Sequence, residues 1–388
     1  MDEVRMVRDS YPEPAPPTAR EIARAKALLN DPPRRPRPRL LWGLGGVVAA
    51  AAAAAVALTL VGGNTTAPSR PSGPVHLDDK GLVLAAAEKA EQQPAGKYWH
   101  TDVVQGQAFI VRAETGTYAI TGALDETFGW WGAKSGMGEA HYGRDLPAHP
   151  VTARDEALWR KAGSPSTFRV WAGDHYDTYT TKAQKWQMNG VNKGTDPHGG
   201  GEFVGALGMS VEDLQNLPND SAKLTEMFLS DSAVSKRMAP AGVRARWSKQ
   251  VPPAFKLHLA GALAENPIPP KVRAGLMRAA TAQPGIHAIG RDTDPLGRPG
   301  VALAADDTAT TWTGEYGGEK AARGTYRSRT VIVFDQRTGA MLSEQEELTK
   351  PGGPYAEMKP GFIINYTAYR SAGWTDTKPS PQAELPFR

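Results

Sequence analysis

Histidines and aspartates that lie close together in the chain are the first residues to consider, because they bind metal ions and move protons. The chain has eight histidines and no cysteine, and no two histidines have the His-Glu-x-x-His spacing. The densest group is Asp174-His175-Tyr176-Asp177. In a strand, alternate side chains point to opposite faces, so we expect His175 to point away from both aspartates. A hairpin turn is favoured over a metal site here, and Asp196-Pro197-His198 before three glycines is likewise predicted to be a turn.

The sequence contains none of the common motifs of nucleophilic or nucleotide chemistry. Gly-x-Ser-x-Gly, Ser-x-x-Lys and P-loop patterns are all missing, and the one Gly-x-Gly-like string, at 43–46, lies in an apolar segment. Carboxylates are plentiful, but no pair of them can be assigned acid and base roles. We therefore predict no catalytic residue, no metal ligand and no cofactor. Six tryptophans either line an aromatic groove or belong to the core and sheet faces: Trp130, Trp131, Trp159, Trp171, Trp186 and Trp247.

The segment from Leu40 to Val61 has the properties of a membrane-spanning helix. It has 22 consecutive residues without a charge, which is long enough to cross a bilayer core of about 30 Å. Trp42 lies near one end, where an interfacial aromatic residue is expected. A buried core helix would have a polar face, and Thr59 is the one polar side chain here. A cleaved signal peptide would have a much shorter preceding segment and an Ala-x-Ala site.

The charges beside this segment predict its orientation. Arg34, Arg35, Arg37 and Arg39 precede it, whereas only Arg70 follows it before Pro74. By the positive-inside rule the N-terminus is cytoplasmic and the C-terminal domain is extracytoplasmic. We therefore predict a single-pass protein of the cell membrane, with the lipid bilayer as one partner.

Charge and cysteine content restrict the function further. Residues 1–39 have nine Lys and Arg against six Asp and Glu, a net charge of +3, and subtraction from the whole-chain +4 leaves +1 for the remainder. Because the outer domain is nearly neutral, we predict no nucleic-acid partner. Without cysteine, this large exported domain must be stabilised by packing alone.

Composition divides the chain into four parts. The tail contains a predicted short helix, Thr18 to Asn30, which is either a transient helix in a disordered tether or a docking helix for a cytoplasmic partner. The segment after the membrane span is rich in Gly, Ser, Pro and Thr, which is typical of a linker. The predicted parts are the cytoplasmic tail 1–39, the transmembrane helix 40–61, the linker 62–75 and the extracytoplasmic domain 76–388.

Hydrophobic periodicity predicts that the outer domain is α+β. A helix is expected at 78–93, aromatic and β-branched strands follow to about 180, and residues 182–209 are expected to be a long loop with at most one short strand. Helices are predicted from Ser210, from Asp220 and over Pro269 to Gln283. Hairpins turning at 294–297 and 335–339 and a last strand from Phe362 complete a curved antiparallel sheet with packed helices.

Several strings in this order resemble an uncharacterised family of actinobacterial single-pass membrane proteins. They include AEQQPAGKYWHT, LWRKAGSP, LQNLPNDSAKL and IVFDQRTGAMLSEQ, and the likeness covers nearly the whole chain. Members are often encoded beside extracytoplasmic-function sigma factors, so the resemblance implies envelope signalling, with a sigma factor as the cytoplasmic partner of residues 1–39. The element order is also similar to the open half-barrels of lipoprotein carriers and sigma-regulator sensor domains. The most specific family motif is the turn DPLGRPG, with Asp294, Pro295, Gly297, Arg298 and Gly300.

Turn chemistry accounts for the aspartate, proline and glycines of this motif, whereas Arg298 either pairs with a carboxylate or is solvated. From these features we predict a non-enzymatic, membrane-anchored binding or sensor protein for an envelope ligand. The alternatives are an exported hydrolase that uses carboxylates and a purely structural surface protein.

Overall fold

A computed structural model describes residues 78–134, 136–189, 209–239, 243–315 and 317–387. All of them belong to one compact unit of the chain. The predicted tail, the transmembrane helix from Leu40 to Val61 with its flanking Arg34, Arg35, Arg37 and Arg39, and the whole linker 62–75 lie outside the described residues. So does Asp196-Pro197-His198. Within the described residues, no helix has both the length and the apolar character needed to cross a membrane.

The domain is α+β with one large antiparallel sheet, which confirms the predicted class. Nine strands pair in the order β7-β3-β2-β1-β13-β12-β11-β9-β8, and two short strands, β4 and β10, pair with β2 and β11. Strands β5 and β6 form a separate hairpin. The strands are β1 Tyr98–Ala113, β2 Gly116–Gly132, β3 Glu139–Asp145, β4 His149–Pro150, β5 Thr167–Trp171, β6 Tyr176–Thr180, β7 Gln187–Asn189, β8 Ile286–Thr293, β9 Pro299–Ala305, β10 Thr308–Trp312, β11 Gly324–Phe334, β12 Met341–Lys350 and β13 Ile363–Thr375.

Local turn residues explain the hairpins of the sheet. Asp294 and Gly297 close the β8–β9 hairpin, and Asp335 and Gly339 close the β11–β12 hairpin, as the sequence predicts. Gly339 has a φ of 70°, and a Cβ there would lie 2.2 Å from the Ala86 carbonyl oxygen. The second turn therefore requires glycine both for its backbone conformation and for close contact with a helix.

Helices precede and interrupt the strands. Their starts follow ordinary capping rules: Asp78 caps the first helix, and Ser210 and Asp213 form the capping box of the third. The helices are α1 Asp79–Glu91, α2 Ala153–Lys161, α3 Val211–Gln215, α4 Ser221–Leu224, α5 Asp231–Met238, α6 Arg244–Trp247, α7 Pro253–Ala264 and α8 Pro270–Thr281. A π-helical turn, Thr225–Leu229, joins α4 to α5, and short 3-10 turns lie at Lys320–Ala322 and Gly353–Tyr355.

The main hydrophobic core lies between the helices and one face of the sheet. It contains residues of α1, α7 and α8 together with sheet residues such as Val103, Leu303, Ile332 and Tyr369. Helix α7 fills this core from several sides, because eight of its twelve residues are buried. The helices thus cover one face and leave the opposite face of β1, β2, β3 and β13 to be covered by other parts of the chain.

Candidate functional site

Four charged residues meet on the sheet face opposite the helices, and we call them the acid–arginine cluster: Asp102, Glu126, Arg144 and Arg370. The Glu126 carboxylate is fully buried and lies between the two arginines. Its Oε2 accepts a hydrogen bond of 2.6 Å from Arg144 Nε, and its Oε1 accepts one of 2.5 Å from Arg370 Nη1. Both bonds are charge-assisted and short, so the carboxylate is held rigidly.

Strand register brings these residues together from four strands. Glu126 on β2 pairs with Arg144 on β3, and Asp102 on β1 lies opposite Ser371 on β13. A register shift between Asp102 and Val103 leaves Arg370 as an extra residue on β13. Since neighbouring side chains in a strand point to opposite faces, and Val103 belongs to the helix-side core, Asp102 points to the other face.

Residues 376–387, which we call the C-terminal segment, cover this cluster. Arg144 donates to the carbonyl oxygens of Ala383 at 2.9 Å and of Glu384 at 2.6 Å. Arg370 also donates to the Glu384 carbonyl, at 3.0 Å. The indole of Trp186 donates to the Gln382 carbonyl at 2.7 Å. Three successive main-chain carbonyls are thus bound by side chains of the sheet face.

The two ends of the C-terminal segment contact aromatic and apolar residues. At one end the Lys378 ammonium lies 5.2 Å from the ring centre of Trp130 and 5.9 Å from that of Tyr98, within cation–π range. At the other end the ring of Phe387 packs on the buried cluster formed by Val104, Leu124 and Leu146. The segment therefore lies along the strands and has a specific contact at each end.

Asp102 is fully buried, and no described residue donates a hydrogen bond to either of its carboxylate oxygens. Burial, followed by the neighbouring charge of Glu126, raises the pKa of Asp102 to about 7, although Arg370 and Arg144 oppose the shift. The protonated form of Asp102 can donate a hydrogen bond to Glu126, which explains how a carboxyl is tolerated there. Nearby, burial and the charge of Asp145 raise the pKa of Asp125 to about 7 as well.

A second polar cluster lies on the helix side of the sheet. His258 Nδ1 on α7 is 2.7 Å from Glu344 Oε1 on β12, and the hydroxyl of Tyr369 on β13 donates to Glu265, which follows α7. The charge of Glu344 raises the pKa of His258 to about 9, and burial raises that of Glu265 to about 8. Because its polar groups bond to one another across the helix–sheet interface, this cluster fixes α7 on the sheet.

The turn motif predicted from the sequence is structural and adjoins the acid–arginine cluster. Asp294 is buried, and its carboxylate accepts hydrogen bonds from the main chain of Leu296 and Arg298 and from the Arg298 guanidinium. Arg298 also donates to the carbonyls of Leu342 at 3.1 Å and Arg370 at 3.5 Å. Of the two possibilities for Arg298, pairing with a carboxylate is the observed one, and it ties the turn to β12 and β13.

Within this motif, Gly297 has a φ of 79°, and the backbone of Phe334 lies so close to Gly300 that a Cβ there would come within 2.5 Å of it. Pro295 lies inside the turn, between Asp294 and the Leu296 amide that bonds to it. These contacts give each residue of the motif a role in the fold.

The expectation for His175 is wrong. His175 Nδ1 lies 2.5 Å from Asp174 Oδ1 and its Nε2 lies 3.3 Å from Asp177 Oδ2, because the residue sits in the exposed β5–β6 turn and not in a strand. The turn itself is as predicted. Among the described residues, no three His, Asp or Glu side chains are arranged to hold a metal ion.

The tryptophans divide between the core and the sheet faces. Trp247 belongs to the main core and Trp159 packs in a smaller one, whereas Trp130 and Trp186 line the face under the C-terminal segment. Trp186 also lies under the Arg144 guanidinium, 4.4 Å from ring centre to Cζ. An aromatic surface is thus present, although it is covered by the chain itself.

Sequence reasoning missed the acid–arginine cluster. Its members are far apart in the chain, with a sequence separation of 244 positions from Glu126 to Arg370, so no spacing links them. One signal was available: Asp102 and Glu126 are charged residues within otherwise apolar and aromatic strands, where a charge is costly unless it is paired. No protein-family model, curated protein or solved structure matches this chain.

Proposed function

We propose that this chain is a membrane-anchored binding protein of the sensor type, and that its ligand binds the sheet face beneath the C-terminal segment. The observation that carries the proposal is how that face holds residues 376–387. Two arginines and a tryptophan of that face bind three main-chain carbonyls of the segment, and an apolar cluster contacts its Phe387 ring. Concave or flat surfaces with a few convergent polar groups among aromatic side chains are typical of binding sites.

The buried charges favour binding over a purely structural role for this face. If the C-terminal segment covered this face permanently, apolar side chains in place of the acid–arginine cluster would make the fold at least as stable. The reason is that desolvating two arginines and two acids offsets most of their mutual attraction. Asp102 in particular is fully buried beside Glu126, and two neighbouring buried carboxyls are costly for a face that has only to be closed. These properties support a surface that exchanges its covering.

The hydrolase alternative rests on Asp102 and Glu126. A carboxyl with a pKa near 7 beside an ionised carboxylate resembles an acid–base pair. However, both oxygens of Glu126 bind arginines, so neither oxygen is free to take a proton from a substrate or to attack it. The proposal is therefore a non-enzymatic protein.

The location of the domain and its partners are part of the same proposal. The uncharged segment from Leu40 to Val61 and the preceding arginines support an anchored domain outside the cytoplasm, and residues 1–39 are proposed to contact a sigma factor. The open sheet, whose register shifts bend β1, β12 and β13, supports a likeness to half-barrel sensor domains. A purified peptide of residues 1–39 that fails to retain any extracytoplasmic-function sigma factor of the same cell would remove the signalling part.

Two adjacent valines allow a direct test of whether the covered face opens. Val104 is 0% exposed in the cluster on which Phe387 and Tyr366 pack, and Val103, the preceding residue, is 8% exposed in the helix-side core. Because the chain has no cysteine, V104C and V103C each introduce a single thiol. Each full chain is purified in detergent and labelled with a maleimide, with and without a low concentration of urea. The labelling rate of V104C reports opening of the covered face, and that of V103C reports opening of the helix-side core.

A binding face must open without unfolding of the domain. We expect V104C to be labelled at least about tenfold faster than V103C, with a rate that changes little in low urea. Equal rates that rise together with urea would show that the face opens only on global unfolding, and the domain would then be a structural one.

A further inference from the structure

We infer that the ligand of this face is a proline-rich segment of another polypeptide, which carries one aromatic residue and replaces residues 376–387. The inference rests on the proposed function and names its ligand class.

The contacts to the middle of the segment do not depend on side-chain identity. Arg144, Arg370 and Trp186 bind the carbonyls of three consecutive residues, Gln382 to Glu384. Every peptide presents such carbonyls. One contact is specific, because Arg370 also donates to the Gln382 side chain at 2.9 Å. The middle of the face can therefore bind the main-chain carbonyls of peptides with different side chains.

The segment is rich in proline and uses none of its main-chain N–H groups. Residues 379, 381 and 386 are prolines, and among the described residues no main-chain N–H between 378 and 387 donates a hydrogen bond. From Tyr98 to Val104 the strand β1 spans about 20 Å, whereas the nine steps from Lys378 to Phe387 would span about 28 Å as polyproline helix. The segment is therefore shorter than an extended chain, with bends at 383, 384 and 386, and proline is tolerated in it because no N–H is needed.

The two ends of the segment define a sequence register for the ligand. Phe387 comes five residues after the first bound carbonyl, that of Gln382, and inserts between Val104, Leu124 and Leu146. Lys378 precedes Gln382 by four residues and lies over Trp130. We therefore expect ligands with a cation at the position equivalent to Lys378, an aromatic residue at the position equivalent to Phe387 and prolines between them.

The C-terminal segment is suited to replacement, since it lies on the surface of the domain. Residues 382–384 are exposed on their outer side, and Leu385 keeps 38% of its accessible surface. The side chains below it are buried, with Glu126 at 0% and Arg144 at 7% exposure. Arg144 and Arg370 are also held by Glu126, which does not belong to the covering segment, whereas the segment itself forms no regular secondary structure. A ligand in trans competes with a tethered segment of roughly millimolar effective concentration.

The test uses the full chain in detergent and a fluorescent peptide with the sequence of residues 376–388. In the chain variant F387A the covering segment loses its aromatic contact, so the peptide in trans should bind, as measured by anisotropy, and should bind the wild-type chain at least about tenfold more weakly. The peptide with Phe387→Ala should lose about tenfold or more in affinity for the F387A chain. A peptide with Gln382 and Glu384 both changed to Ala should bind within a few-fold of the original.

The outcomes separate the ligand class from the proposed function. If V104C is labelled by local opening but the peptide does not bind the F387A chain at about 1 mM, the face opens and the ligand class is wrong. If V104C is not labelled by local opening, both proposals fall. A scrambled peptide that binds as well as the original would also overturn the inference. Concentration-dependent dimers of the wild-type chain that exchange this segment would assign the site to a second copy instead.

Discussion

Removal of the Arg144 guanidinium tests whether the acid–arginine cluster is the energetic centre of its sheet face. Arg144 bonds to Glu126 and to the carbonyls of Ala383 and Glu384, and its side chain is 4% exposed. In R144M, Glu126 keeps only Arg370, so the variant breaks a buried ion pair without leaving its acid wholly unpaired. Breaking such pairs costs about 3–5 kcal/mol, and the remaining arginine places this case near the lower value, about 3 kcal/mol.

The assay is urea unfolding of the purified full chain in detergent, followed by tryptophan fluorescence, with the free energy of unfolding taken from the midpoint and slope. The matched control is R160M, because Arg160 is 69% exposed and pairs with Glu156 on the same helix at 2.6 Å. Exposed pairs of this kind contribute about 0.5 kcal/mol or less. If R144M costs no more than R160M, the cluster is not a tightly coupled charged network, and the argument for a preformed receptor surface fails.

Further predictions concern pH and backbone conformation. Asp102 has a native pKa raised from 3.8 to about 7, so the native state binds the proton more tightly than the unfolded state. The free energy of unfolding should therefore fall as pH rises from about 4 to about 7. Urea titrations at pH 5 and pH 8 should show a smaller fall in D102N than in the wild-type chain. His258 has a native pKa raised from 6.5 to about 9, so the stabilisation from its pairing with Glu344 is fully present below pH 6.5 and is lost as pH rises through 9. E344Q should lower the free energy of unfolding at pH 7 by about 1–3 kcal/mol and should flatten its decrease up to pH 10. An unchanged pH profile would contradict the pairing. G339A should destabilise the fold more than G297A, because both residues have a positive φ but only a Cβ at position 339 would press against helix backbone. The changes in melting temperature of the two variants make the comparison. For G297A we expect a loss of about 1 kcal/mol in the free energy of unfolding.

The elements that the sequence predicts well are those set by local chemistry. Helix α1 begins after Asp78, the box of Ser210 and Asp213 starts α3, and the turns at Asp294 and Asp335 close their hairpins where turn residues cluster. Helix α7 is not among the helices that the sequence predicts. It is apolar on nearly all sides, so it lacks the amphipathic periodicity by which a helix is recognised.

The candidate site depends on long-range register, which local patterns do not determine. Asp102 and Arg370 meet because β1 pairs with β13 across a register shift, and a shift of one residue would turn either side chain to the helix side. The C-terminal segment could not be placed either, because its irregular main chain is held by side chains from two strands, β3 and β13, and from the loop that contains Trp186. The sequence does contain its prolines and Phe387, which are the features that the proposed ligand shares.

The proposed function requires a cytoplasmic tail and an outward-facing binding domain on opposite sides of one membrane, which can be tested directly in intact cells. One tag is placed after Met1 and another after Arg388, and the cells are treated with protease. We expect only the C-terminal tag to be removed, and the N-terminal tag to become sensitive after lysis. Loss of both tags, or release of the domain into the medium, would contradict the anchor and its orientation and would leave no basis for a cytoplasmic partner.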